Sequence, residues 1–305
     1  MKRKLYLSLL GLGCALILKA QDPEPAIAKV HYIFKHVNDS SDKSKFLRDE
    51  VVTYLGQGSS YYTSYSSVRA EEDMKKQLDA PDFDGKLILT KNTTAINASL
   101  LINQHSQSML EIQRVASDNL SISEEFPKQD WQILDQTKEI GDYLCQKAVC
   151  EFKGRKYSAW FTTELPFTGG PWKLNGLPGL ILSAADSTGS VSFEYAGFDK
   201  LATQDFLIQP PANAVKSSKK EAAKLLEAFT ANPNAYMQAK RASQSSGISS
   251  TNTPGGATIV ISGSGQGGNK SAGAIDPSRI KSMTIKNNDN YQPSKLTNNP
   301  IELKP

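Results

Sequence analysis

The sequence predicts an α+β fold that is mostly β, built on an antiparallel sheet with a few helices packed on or beside it. Three features predict it. Between Tyr143 and Tyr195, four β-branched and aromatic runs are separated by short turn signals. The front of the chain alternates in the same manner, with Val30, Tyr32 and Phe34 set against His31, Ile33 and Lys35. The clearest helix-start signature opens at Ser218.

Residues 1–20 read as a secretory signal peptide. Lys2, Arg3 and Lys4 precede an apolar run from Leu5 to Leu18, and small Ala20 marks the cleavage point. That run is too short to span a bilayer, and no later stretch is long enough, so a chain that does not cross the membrane is expected. Residues 21–305 are expected to form a single domain in the periplasm or another exported location. Removing Lys2, Arg3, Lys4 and Lys19 takes 35 basic residues to 31, against 31 acidic ones. A near-neutral chain without Lys/Arg clusters has little to offer a phosphate backbone, which argues against nucleic acid as a partner.

Residues 50–55 (EVVTYL) read as a strand ended by Gly56-Gln57-Gly58, and 67–78 as a short helix with acids early and lysines late. Further strands are expected at 86–91, 109–116 and 131–138. Asp82-Phe83-Asp84-Gly85 resembles the start of a calcium loop but lacks the later ligands, so it reads as a turn. Asn92-Thr93-Thr94, Asn97-Ala98-Ser99 and Asn119-Leu120-Ser121 fit the glycosylation triplet. The strands at 143–152, 156–162, 180–184 and 190–195 form a meander, with a hairpin loop at Asp186-Ser187-Thr188-Gly189.

Cys145 and Cys150 sit in YLCQKAVCEF. An exported chain permits a disulfide. Five residues along a strand, however, is about 17 Å and opposite faces, whereas a bridge needs Cα atoms within about 7 Å. The pair joins if the chain bulges at 146–149; otherwise both are buried thiols. His31, His36 and His105 are scattered, so no metal site is expected.

Ser218-Lys219-Lys220-Glu221 is a capping box, followed by Ala222, Leu225, Leu226 and Phe229 at helical spacing. From 243 to 298 the composition turns to Gly, Ser and Asn, and a poorly ordered segment is expected, with 258–262 (TIVIS) as a small strand. Residues 263–268 match G-x-G-x-x-G literally, but breakers follow where a helix must begin, so no cofactor is expected. Ile301 and Leu303 are placed to pin the terminus.

The stretch GPWKLNGLPGLIL begins at Gly170-Pro171, which turn the chain. Leu177-Pro178-Gly179-Leu180 reads as a type II turn, in which Pro178 fixes φ and Gly179 supplies a positive φ. Nothing here is nucleophilic or acidic, and no standard hydrolase motif occurs in the chain.

On Gly176-Leu177-Pro178-Gly179-Leu180-Ile181, with Tyr143-Leu144-Cys145, Gly154-Arg155 and Ala159-Trp160-Phe161-Thr162, the chain resembles the GLPGLI family of exported Gram-negative proteins. That likeness implies location and no catalytic residues. AWFTTELPF and the hairpin after it are similar to the run in LolA-like periplasmic lipoprotein carriers. This second likeness implies a curved, half-barrel-like sheet with Trp160, Trp172, Leu180 and Leu182 bordering a ligand cavity. The function expected on these grounds is non-enzymatic binding of a lipid or other apolar ligand, or of another envelope protein. The alternatives are an enzyme with a non-standard site around Glu164, Arg155 and Thr162, or a structural envelope component.

Overall fold

A computed structural model describes residues 23–91, 95–202, 205–244, 279–287 and 294–304. The expected signal peptide, the Asn92 triplet, the strand at 258–262 and the motif at 263–268 lie outside them.

The front of the chain forms β1 (Glu24–Pro25), β2 (Ala28–His36), β3 (Leu47–Leu55) and β4 (Ser59–Ser64), then helix α1 (Ser66–Asp79) and β5 (Lys86–Lys91). Next come β6 (Ala98–Asn103), β7 (Ser108–Val115), β8 (Asp118–Glu124) and β9 (Gln132–Ile140). The meander is β10 (Tyr143–Phe152), β11 (Arg155–Thr162), β12 (Leu180–Asp186) and β13 (Val191–Lys200). Short β14 (Leu207–Ile208) and β15 (Ala214–Lys216) lead into α2 (Lys219–Ala231) and α3 (Pro233–Gln244), and β16 (Ser282–Asn287) follows.

Twelve of the described strands make one sheet, ordered β15-β8-β7-β6-β4-β3-β2-β13-β12-β11-β10-β9. Its pairs are antiparallel except β15 with β8. The sheet is curved and does not close, in an α+β arrangement that is mostly β. Bulges bend and twist a sheet locally, and register shifts occur at Gln146/Ala148, Trp160/Phe161 and Tyr195/Gly197. All three fall in the meander half, so the bending is concentrated there.

The main core runs from this half into β4, β6 and β7 through Tyr62, Leu100, Ile102 and Met109. Tyr32, Phe34, Phe161, Leu180 and Phe193 pack together there, with the Phe34 and Phe193 rings 5.1 Å apart. The long connection between β11 and β12 completes this core rather than turning tightly. Leu165, Trp172, Leu174 and Leu177 join the cluster, each large apolar side chain adding about 1.5–3 kcal/mol of burial. Thr53 donates to the Gly170 carbonyl at 3.0 Å, which ties the connection to β3, and the Tyr32 hydroxyl donates to that of Ile181 at 2.6 Å, which ties the start of β12 to β2.

The expected type II turn is absent. Positive φ falls at Gly176 (87°), not at Gly179. The Gly179 amide donates back to the Leu177 carbonyl at 2.8 Å, a tighter turn around Pro178. Glycine is needed at 179 for space instead, because a Cβ there would stand 2.1 Å from the Thr162 carbonyl oxygen.

Cys145 and Cys150 are both buried and free. β10 pairs with β11 without interruption from Gln146 to Phe152, so no bulge on that side brings the sulfurs together. Burial pushes both thiols up, Cys145 to about 11 and Cys150 to about 12. The segment expected to be poorly ordered contains a strand: Ser282–Asn287 pairs in parallel with β5. β4, β6 and β8 were not expected as strands, nor was α3 as a helix.

Candidate functional site

A cavity of about 800 Å³ opens beside the β7–β8 half of the sheet. Met109 of β7 and Ile122 and Glu124 of β8 form its floor, and Phe126, Phe152 and Lys173 form walls. Residues 216–219, entering α2, form its mouth. β15 brings them there, since Lys216 pairs with Ser121 and the Ser217 amide donates to the Ser121 carbonyl at 2.9 Å. The Ser218 capping box is formed as the sequence predicts, which fixes where α2 begins.

Two carboxylates meet on this face. Met109 pairs with Glu124 and Glu111 with Ile122, so Glu111 and Glu124 are diagonal neighbours, roughly 7–8 Å apart at the backbone. The Glu124 side chain is only 7% exposed, and one of its oxygens stands 2.5 Å from the ammonium of Lys219. Its other oxygen is buried with no hydrogen-bond partner among the described residues. An acceptor left in that state costs roughly 1–3 kcal/mol. Burial raises the Glu111 carboxyl above its ordinary range; the Lys173 cation opposes this and the Glu124 anion adds to it.

Lys219 and Lys220 open α2, where the helix dipole disfavours cations. The Glu124 anion offsets this at Lys219, and Glu221 does so within the cap.

The wall is pinned from behind. The Asn175 side chain donates to the Pro127 carbonyl at 3.1 Å, that of Gln129 to the Lys173 carbonyl at 3.1 Å, and the Trp131 indole to the Asn175 carbonyl at 2.8 Å. Lys173 is buried and binds Glu302 of the C-terminal tail at 2.5 Å. The Leu303 amide donates to the Lys153 carbonyl at 2.9 Å, holding the tail alongside. Aromatic rings, carboxylates and lysines on preset supports suit a ligand with apolar faces and many hydroxyl edges.

The residues singled out from sequence are arranged otherwise. Leu180 and Leu182 are fully buried core, and Trp172 packs edge-on behind Phe152 at 5.7 Å, one layer back from the cleft. Trp160 is half-buried at the edge of the same core, with the Lys138 ammonium 4.4 Å from its ring. None of these four lines the cavity described above. Gly170, Pro171, Gly176, Pro178 and Gly179 shape the core-filling connection. Arg155 is buried against Asp186 at 2.7 Å at the start of β11, whereas Thr162 ends that strand and Glu164 accepts from the Leu144 amide at 2.9 Å. These three groups do not converge. Among the described residues no cluster of His, Cys, Asp or Glu could hold a metal ion, and no helix is long and apolar enough to cross a membrane. Glu111 and Glu124 were missed, although Glu111 shares the inward alternation of Met109 and Glu124 that of Leu120 and Ile122.

The chain matches the family model of the N-glycanase peptide, N-terminal domain, over residues 65–192. That stretch contains Glu111, Glu124, Phe126, Phe152 and Lys173, while Lys219 and Glu302 come from outside it. It also contains the hexapeptide on which the GLPGLI resemblance was based, and it overturns both that resemblance and the LolA-like one. The expectation of a non-enzymatic binder falls with them, and the enzyme alternative stands closer to the finding. No curated protein sequence matches. Two solved structures of PNGF-II, in the P21 and C2 space groups, are similar at 15% identity, with TM-scores of 0.46 and 0.47. Each is matched over 66% of this chain, which covers 33% and 32% of those chains, about a third of their length.

Proposed function

We propose that this protein works in the enzymatic removal of N-linked glycans from polypeptides, with the carbohydrate engaged in the cleft between β7, β8 and the start of α2. The observation that carries the reading is the N-glycanase match over 65–192, whose stretch supplies Glu124 and both aromatic residues of the cleft lining, with Glu111 beside Glu124 on the same pair of strands. Two carboxylates in unlike settings, one raised by burial and one ion-paired, are the groups that proton transfer at a glycan linkage calls for. An exported location, read from residues 1–20, puts the protein where glycosylated polypeptides from outside the cell are met.

The test is incubation of the purified protein with an N-glycosylated peptide and its sugar-free counterpart. Titration is expected to show binding of the glycosylated form only. Mass spectrometry is expected to show loss of the glycan over time. Equal behaviour toward the two peptides, with no glycan released, would refute the proposal.

A further inference from the structure

We propose that Glu124 is the residue that reads the ligand in the cleft, accepting a hydroxyl or amide N–H of the carbohydrate on its unpartnered carboxylate oxygen. This rests on the carbohydrate reading above and deepens it. The side chain lines the cleft and is more than nine-tenths buried. Lys219 occupies only one of its two oxygens. A carboxylate sunk among Met109, Ile122 and Phe126 would be expected to carry donors on both oxygens. A buried acceptor left unmatched among its own neighbours takes a donor from outside the protein, a water in the free cleft and an O–H or N–H of the ligand when the cleft is filled.

The cation beside it is 70% exposed at the mouth. Lys219 therefore holds the carboxylate in place while remaining free to move as a ligand enters. Sugar hydroxyls and N-acetyl N–H groups supply the required donor. An anionic group would face the Glu124 charge and would not.

A structural carboxylate and a ligand-reading one respond oppositely to replacement by an apolar side chain. Glu124→Leu removes a desolvated charge and leaves Lys219 in water, so the variant is expected to melt at or above the wild-type temperature. The same variant is expected to bind a peptide bearing asparagine-linked diacetylchitobiose about tenfold or more weakly. Lys220→Ala, at an exposed residue that does not line the cleft, is expected to keep binding within about threefold. Wild-type protein that fails to bind this probe overturns the carbohydrate reading and this assignment with it. Wild-type binding together with full-strength binding by Glu124→Leu overturns only the assignment of Glu124. A clear drop in the melting temperature of Glu124→Leu shows that the carboxylate serves the fold, and overturns the assignment as well.

Discussion

Replacing Gly179 by alanine tests a close approach of one backbone segment to another. The new Cβ would stand 2.1 Å from the Thr162 carbonyl oxygen, 2.7 Å from its carbon and 3.0 Å from the Thr163 nitrogen. Ordinary contact begins at 3.4 Å, so the two backbones must separate by about 1.3 Å (3.4 minus 2.1). Neither side is free to yield. Leu180 is in register with Thr162, and its amide donates to the Leu165 carbonyl at 3.1 Å. Overpacking of about 1–3 kcal/mol together with one or two weakened buried hydrogen bonds gives a loss of about 2–5 kcal/mol. Gly176→Ala is the control: φ is +87° but nothing lies within 4 Å, so only the left-handed strain of about 1–2 kcal/mol applies. Urea unfolding followed by circular dichroism should rank Gly179→Ala below Gly176→Ala, and both below wild type. A Gly179→Ala protein within about 0.5 kcal/mol of wild type, or the reverse ranking, would refute the close-approach argument.

The Arg155 guanidinium binds Asp186 at 2.7 Å, the Ile301 carbonyl at 2.8 Å, and Asn299 and the Pro300 carbonyl at 2.6 Å each. Arg155→Met should therefore cost about 3–5 kcal/mol and release the tail to limited proteolysis; a protected tail would contradict this. Ser218→Ala should remove about 1 kcal/mol through the lost cap, read as faster hydrogen exchange in the first turn of α2, and unchanged exchange would show the cap to be idle. Burial, aided by the Arg155 cation, holds His36 below its ordinary 6.5, while the Asn299 carbonyl and Asp186 oppose this. Because the unfolded chain takes up this proton first, the contribution is complete above about pH 6.5 and is lost as pH falls through the folded value. Thermal melts between about pH 7.5 and 5 should show that loss, and His36→Gln should flatten it; parallel profiles would contradict the assignment.

Strands whose hydrophobic alternation was regular could be read directly. Tyr143–Phe152 matches its expected bounds, the Ser218 cap falls where local chemistry puts it, and α1 falls within a residue of its expected bounds, although its first turn holds no acid. The strands SSYYTS, ASLLIN and DNLSISE did not read, because serine and asparagine are turn residues until neighbouring strands claim them. α3 opens on Pro233 directly after Asn232, a helix-start pattern that was present and overlooked. Ser282–Asn287 is a strand only because β5 offers it an edge far back in the sequence. Gly179 was assigned to a local backbone need, whereas its partner is Thr162, seventeen residues away in the chain (179 minus 162). The cleft was hidden for the same reason. Glu111 and Glu124 become neighbours through the β7–β8 pairing, and Lys219 reaches them through β15, so no contiguous motif contains the site.

The central claim is the location of the carbohydrate, and hydrogen-exchange mass spectrometry on the full chain tests it most directly. Addition of an N-glycosylated peptide should protect amides in 122–128, 152–153, 173–175 and 216–221, with the sugar-free peptide giving no change. Protection confined to the β9–β10 edge or to α1, or identical patterns with both peptides, would contradict the account.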